Sequence, residues 1–188
     1  MELTADDRRA HLLGPRDIWS MLHELGRDLK PNEARKLHRR LGQMWGQRTI
    51  VALTDLFDRE FGQSLSEARV TSVVEALGDV CERSDLGRVA LDFEDATEGL
   101  VHIWQYSCPL AKRGHIGRFA ASFFESFHTT VIGQLAGHGL CVRWLATDPR
   151  HRVLRFLMGA QSRLAQWDWI LPGSGGLSGR PRAAGGIA

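Results

Sequence analysis

Cysteine is scarce in this sequence: the 3 residues, Cys81, Cys108 and Cys141, are widely spaced and form no CxxC pair. An odd, scattered set excludes a disulfide framework and suits a thiol-reducing compartment. An excess of one charge is also missing, since Lys+Arg 24 against Asp+Glu 22 gives a formal net charge of +2. Without a basic stripe or surplus, no nucleic-acid partner is expected. No apolar run approaches the ~20 residues that cross a bilayer. The charged start, Met1-Glu2-Leu3-Thr4-Ala5-Asp6-Asp7, lacks the basic-then-apolar order of a secretory signal. The expectation is a cytoplasmic protein, with peripheral attachment to the inner membrane left open.

The motifs of common chemistries are absent as well. No G-x-S-x-G elbow occurs, and Cys108 before Pro109 has none of the flanks of a catalytic thiol, although His102 or His115 could approach it in the fold. No two histidines stand in an H-x-x-x-H or H-E-x-x-H pattern, which leaves a convergence of His128, His138 and His151 as the one metal candidate. The Gly114-His115-Ile116-Gly117 run could hold an anion at a helix start but is not a dinucleotide fingerprint. Glu94, Asp95 and Glu98 read as solvated turn residues rather than paired carboxylates. A non-catalytic protein with no cofactor and no metal is the expectation.

What is present is clear periodicity. Ile18, Met21, Leu22, Leu25 and Leu29 follow Pro15 at helical spacing and stop at Lys30-Pro31-Asn32, where Asn32 is a candidate cap for the next helix. That helix is expected to bury Ala34, Leu37, Leu41, Met44 and Trp45 and to turn Arg35, Lys36, Arg39 and Arg40 to solvent. A short helix over 53–61 stops at Gly62. A third long helix, beginning near Ser66, carries Val70, Val73, Val74, Leu77 and Val80 and ends near Ser84-Asp85, with Gly87 in the turn. The period then changes to two. Val89, Leu91 and Phe93 alternate with polar neighbours, and after a turn over 95–99 so do Val101, Ile103 and Gln105 against His102, Trp104 and Tyr106, which predicts a hairpin.

Residues 109–117 read as a loop. Residues 118–136, with Phe119, Phe123, Phe124, Phe127, Val131, Ile132 and Leu135, form the expected core helix, broken at Gly137-His138-Gly139. A second hairpin over 140–146 and 152–158 turns around Thr147-Asp148-Pro149-Arg150. The fold class is therefore α+β: N-terminal helices, then a small antiparallel sheet of two hairpins with a hydrophobic helix between them. Residues 1–15 are a polar N-terminal segment, 16–159 a single α+β domain, 160–171 an anchor containing Trp167 and Trp169, and 172–188 a flexible Gly/Pro/Arg tail.

One resemblance gives this order of elements a function. The stretch Glu33-Ala34-Arg35-Lys36-Leu37-His38-Arg39-Arg40-Leu41-Gly42-Gln43-Met44-Trp45-Gly46 resembles the second helix of the bacterial cellulose synthase D subunit. The turn Asp85-Leu86-Gly87, the strands Arg88-Val89-Ala90-Leu91 and Leu100-Val101-His102-Ile103, the Cys108-Pro109-Leu110-Ala111 segment and the helix around Phe123-Phe124-Glu125-Ser126-Phe127 are similar to later blocks of that family. Leu86 stands where the family usually has Trp, and Ser126 where it has a small Gly.

The resemblance implies a non-catalytic accessory subunit of cellulose biosynthesis. It would form a homo-oligomer beside the membrane-bound cellulose synthase complex and help export or arrange nascent glucan chains. The 6 Trp residues suit sugar stacking, with Trp45 and Trp104 the candidate glucan or partner contacts. The layout is also similar to the four-vinyl-reductase-like domain, through Trp144-Leu145-Ala146-Thr147-Asp148-Pro149 and Arg155-Phe156, although both cysteines of that family's last hairpin are missing. This second resemblance implies a small-molecule-binding or tetrapyrrole-related module with its cavity between sheet and core helix.

Overall fold

The computed structural model describes residues 28–108, 117–136 and 139–167. Helix α1 runs over Pro31–Leu56, opening on a proline whose missing N–H costs nothing in the first turn. Its N-cap is Lys30 rather than Asn32, and the Lys30 amide donates to the Glu33 carboxylate at 3.2 Å. The helix expected separately over 53–61 is a continuation of α1. Nothing between Gly46 and Leu53 interrupts the helix, which closes with a π turn, Phe57–Phe61, and stops at Gly62 in the left-handed conformation.

The buried line of α1 also differs from the expected one. It is His38, Gly42, Gly46, Thr49 and Leu53, while Met44 is 47% exposed and Ala34, Leu37, Leu41 and Trp45 flank the contact. The cause is close helix packing. A Cβ on Gly42 would lie 2.2 Å from the Phe123 carbonyl oxygen, and one on Gly46 would lie 2.8 Å from Thr130 Cβ. Two glycines four residues apart let α1 sit directly against the core helix, so the contact follows the small side chains rather than the large ones. The basic face of Arg35, Lys36, Arg39 and Arg40 is exposed as expected.

Helix α2, Val70–Arg83, starts after an extended Arg69 instead of at Ser66, which lies in the short 3-10 turn Leu65–Glu67. The sheet follows: β1 Arg88–Asp92, β2 Leu100–Tyr106, β3 Leu140–Asp148 and β4 Val153–Ala160. All neighbours are antiparallel, in the order β1-β2-β4-β3, so the two expected hairpins join through β2 and β4. Strand β1 ends at Asp92, whose carboxylate accepts the Glu94 amide at 3.0 Å, and this turn throws Phe93 out to 49% exposure. Strand β3 runs on to Asp148, which shifts the second turn to 149–152. There Asp148 Oδ1 accepts the amides of Arg150 at 2.9 Å and His151 at 3.1 Å.

Helix α3, Gly117–Leu135, lies across one face of the sheet. Phe123, Phe124 and Phe127 pack there with Leu53, Phe57, Leu154 and Phe156, all fully buried. Its polar side chains also seal the β3 edge, because Thr129 Oγ1 accepts the Val142 amide at 3.1 Å and Glu125 Oε1 the Trp144 amide at 2.8 Å. On the opposite face a short helix, α4 Gln161–Trp167, sets Leu164 against Leu100 and Leu157. The architecture is α+β, helices with a four-stranded antiparallel sheet. Among the described residues no helix is long and apolar enough to cross a membrane. The expected helix over 18–29 (but for its last two residues), the 109–116 loop, the break at Gly137-His138, Trp169 and the tail lie outside the described residues.

Candidate functional site

The stripes that predict α2 and β1 do not close on a solid core. Val70, Val73, Val74 and Leu77 of α2 recur at helical spacing, and Val89, Leu91 and Phe93 recur at strand spacing. Together they form two walls of a cavity of about 480 Å³. Helix α3 supplies a third wall through His128, Ile132 and Leu135, and Ile50, Leu140 and Met158 complete it from α1, β3 and β4. Val70, Phe93 and Leu135 are exposed, at 64%, 49% and 36%, and so stand at the mouth, as do the polar Ser66 and Gln134.

His128 lies at the other end. It is fully buried, with its ring 5.9 Å from Phe124, 5.1 Å from Phe127 and 5.2 Å from Phe156 between centroids. Among the described residues neither ring nitrogen has a hydrogen-bond partner. Burial in this aromatic nest pushes the imidazole down to about 3, so it is neutral at physiological pH, with one nitrogen donating and the other accepting. A neutral imidazole can bind a polar group and orient it. No carboxylate or second imidazole among the described residues is assembled beside it for proton relay or metal ligation. Among the described residues no group of three His, Cys, Asp or Glu side chains is placed to hold a metal.

The residues singled out by sequence are dispersed around this cavity. Trp45 packs edge-on against Phe123 at 6.5 Å, on the flank of the core. Trp104 lies on the opposite face of the sheet, with the Arg155 guanidinium 4.2 Å above its ring and Tyr106 stacked parallel at 6.1 Å. Burial lowers the Arg155 pKa, while Tyr106 and Asp92 oppose that shift. Burial first, and Asp92 second, raise that of the Tyr106 phenol.

Two members of the candidate metal trio lie apart. His151 is exposed in the β3–β4 turn, bonded through Nδ1 to Asp148 at 2.6 Å, while His128 is inside the core and His138 lies outside the described residues. Cys108 is buried, and His102 is engaged through Nε2 with Asp95 at 3.0 Å; His115 and the Gly114–Gly117 amides before the helix lie outside the described residues. Asp95 is thus tied to His102, whereas Glu94 and Glu98 are exposed. Sequence reasoning reached His128 as one of three metal candidates and missed its place as the buried polar group of a mainly apolar cavity. The available signal was positional, since His128 shares a helix face with Phe124, Ile132 and Leu135, four and seven residues away.

No family model matches the chain, and no curated protein matches it. Among solved structures it is similar to the crystal structure of the phenol-responsive sensory domain of the transcription activator PoxR with phenol. The TM-score is 0.56 and the identity 18%, over 86% of this chain and 83% of that one. At that identity the likeness is one of fold.

Proposed function

We propose that this chain is a binding module for a small, mainly apolar ligand that carries a hydrogen-bonding group, and that it works without catalysis. The observation that carries the reading is His128: a fully buried imidazole, unpartnered at both nitrogens, lining an apolar cavity with an open mouth. A buried polar atom without a partner costs about 1–3 kcal/mol, and a ligand group bonded there would recover that cost. A cavity of this size and composition has the usual character of a small-molecule site. The fold likeness to a phenol-responsive sensory domain agrees with a ligand-responsive role, and so does the expected cavity between sheet and core helix. The accessory-subunit reading, with its homo-oligomer and glucan contacts, has no structural observation of its own in its favour, since both Trp45 and Trp104 are engaged by protein groups.

Methyl-resolved NMR of the whole chain during titration with 2-naphthol tests the proposal. Shifts should concentrate on Val73, Val74, Leu77, Ile132 and Met158. Shifts absent there, or concentrated on the exposed face of α1, would overturn it. Light scattering on the same sample adds a second check, because a large discrete ring that leaves these methyls unmoved would favour the accessory-subunit reading instead.

A further inference from the structure

Resting on the binding-module reading, we infer that the cavity selects an uncharged ligand larger than one aromatic ring, bound with its polar group inward on His128 and its apolar body reaching the mouth. Size is the first argument. A dry cavity of about 150 Å³ holds benzene, so the roughly 480 Å³ here has about three times that room. A single ring on His128 would leave the space between α2 and β1 unfilled, forfeiting contacts with Val70, Val73 and Leu91.

Charge is the second argument. Among the described residues no Asp, Glu, Lys or Arg lines the cavity, and the one titratable group there is the neutral His128. A carboxylate or ammonium drawn inward would lose its hydration and gain no counter-ion, a heavier cost than one neutral hydrogen bond recovers. A hydroxyl suits the imidazole because it can both give and take a hydrogen bond. Direction is the third argument. The polar anchor is the fully buried member of the lining, while Val70, Phe93 and Leu135 give the mouth apolar surface beside Ser66 and Gln134. An elongated molecule with one polar end therefore enters polar end first.

Four probes separate these terms: phenol, 2-naphthol, naphthalene and 2-naphthoate. They are titrated into the full chain by calorimetry, with naphthalene measured by competition against 2-naphthol. The second ring should tighten binding at least about tenfold over phenol. Removing the hydroxyl should weaken it about tenfold, and replacing it with carboxylate at least about a hundredfold. In the H128L variant, naphthalene should still bind and 2-naphthol should come within about twofold of it. Phenol matching 2-naphthol would overturn the size argument and leave the binding module standing. Naphthoate matching 2-naphthol would overturn the charge argument, and a hydroxyl preference that survives H128L would overturn the anchor. If none of the four probes binds, the module reading falls with the inference.

Discussion

His128 ties stability to pH in a way that can be measured without any ligand. The imidazole titrates near 6.5 in an unfolded chain, and burial lowers it to about 3 in the fold. Between those values the unfolded state takes up a proton that the native state refuses. Stability from this residue is therefore complete above pH 6.5 and is lost as the pH falls toward 3. Linkage gives a loss of about 1.4 kcal/mol at pH 5.5 and about 3 kcal/mol at pH 4, a substantial share of an ordinary domain's stability.

The H128L variant isolates this contribution. His38, which burial lowers to about 4, contributes in the same direction but is present in both proteins and cancels, as do the carboxylates. At pH 7 the variant should be more stable by about 1–3 kcal/mol, because two unpartnered polar atoms give way to a side chain that suits the aromatic nest. On acidification the difference should widen by about a further 3 kcal/mol at pH 4. Urea unfolding at pH 7, 5.5 and 4, read as midpoints at constant slope, measures both numbers. A gap between the two proteins that stays constant across the three pH values would refute the claim that His128 is buried and neutral.

Three further outcomes follow from the packing. G42A should cost at least about 3 kcal/mol in urea unfolding, because its Cβ meets the Phe123 carbonyl at 2.2 Å, whereas G133A, on the same helix pair but with open space around it, should stabilise by about 0.5–1 kcal/mol. Q105L should destabilise by about 2–3 kcal/mol in thermal or urea melts, since the fully buried Gln105 Nε2 donates to Leu86 O at 2.8 Å and Gly87 O at 3.1 Å, and both carbonyls would lose that donor. In native protein at pH 8, Cys141 should react with a thiol reagent well before Cys81, whose thiol burial, and then the neighbouring Cys108, push up to about 12; mass spectrometry of the labelled peptides gives the order.

Most of the fold was legible because its strongest signals are local. The alternation of Val89 with Leu91 and of Val101 with Ile103 set two strands of opposite direction, and the Phe-rich run placed α3. The errors have physical causes. A stripe of large apolar residues on α1 pointed to Leu41, Met44 and Trp45, but close helix packing is governed by where side chains are smallest, and Gly42 and Gly46 moved the contact line around the helix. Phe93 continued an alternation that the Asp92 turn cuts off. The candidate site was half legible. Val70, Val73, Val74, Leu77, Val89 and Leu91 all stood out by their helical or strand spacing, yet periodicity reports which residues share a face and not whether an opposing wall arrives to meet them.

That gap is why His128 carries more weight than the cavity around it. Gln105 Oε1, His102 Nδ1 and Arg155 Nε are also buried without a hydrogen bond, but each of those side chains keeps a partner through another group. Gln105 reaches two carbonyls, His102 finds Asp95, Arg155 lies over Trp104, and Thr129 and Glu125 accept the amides of the β3 edge. His128 is fully buried with no hydrogen bond at either nitrogen, in a nest of phenylalanines where leucine or phenylalanine would lower the folding free energy. A cavity alone could be a packing fault, and a buried histidine alone could be a tolerated one. The two at the same spot, with an open mouth on one side and a proton-neutral anchor on the other, describe a site that is incomplete until something enters it. The stability that H128L gains should therefore be matched by the hydroxyl preference it loses, and a variant that gained the first while keeping the second would separate the two ideas.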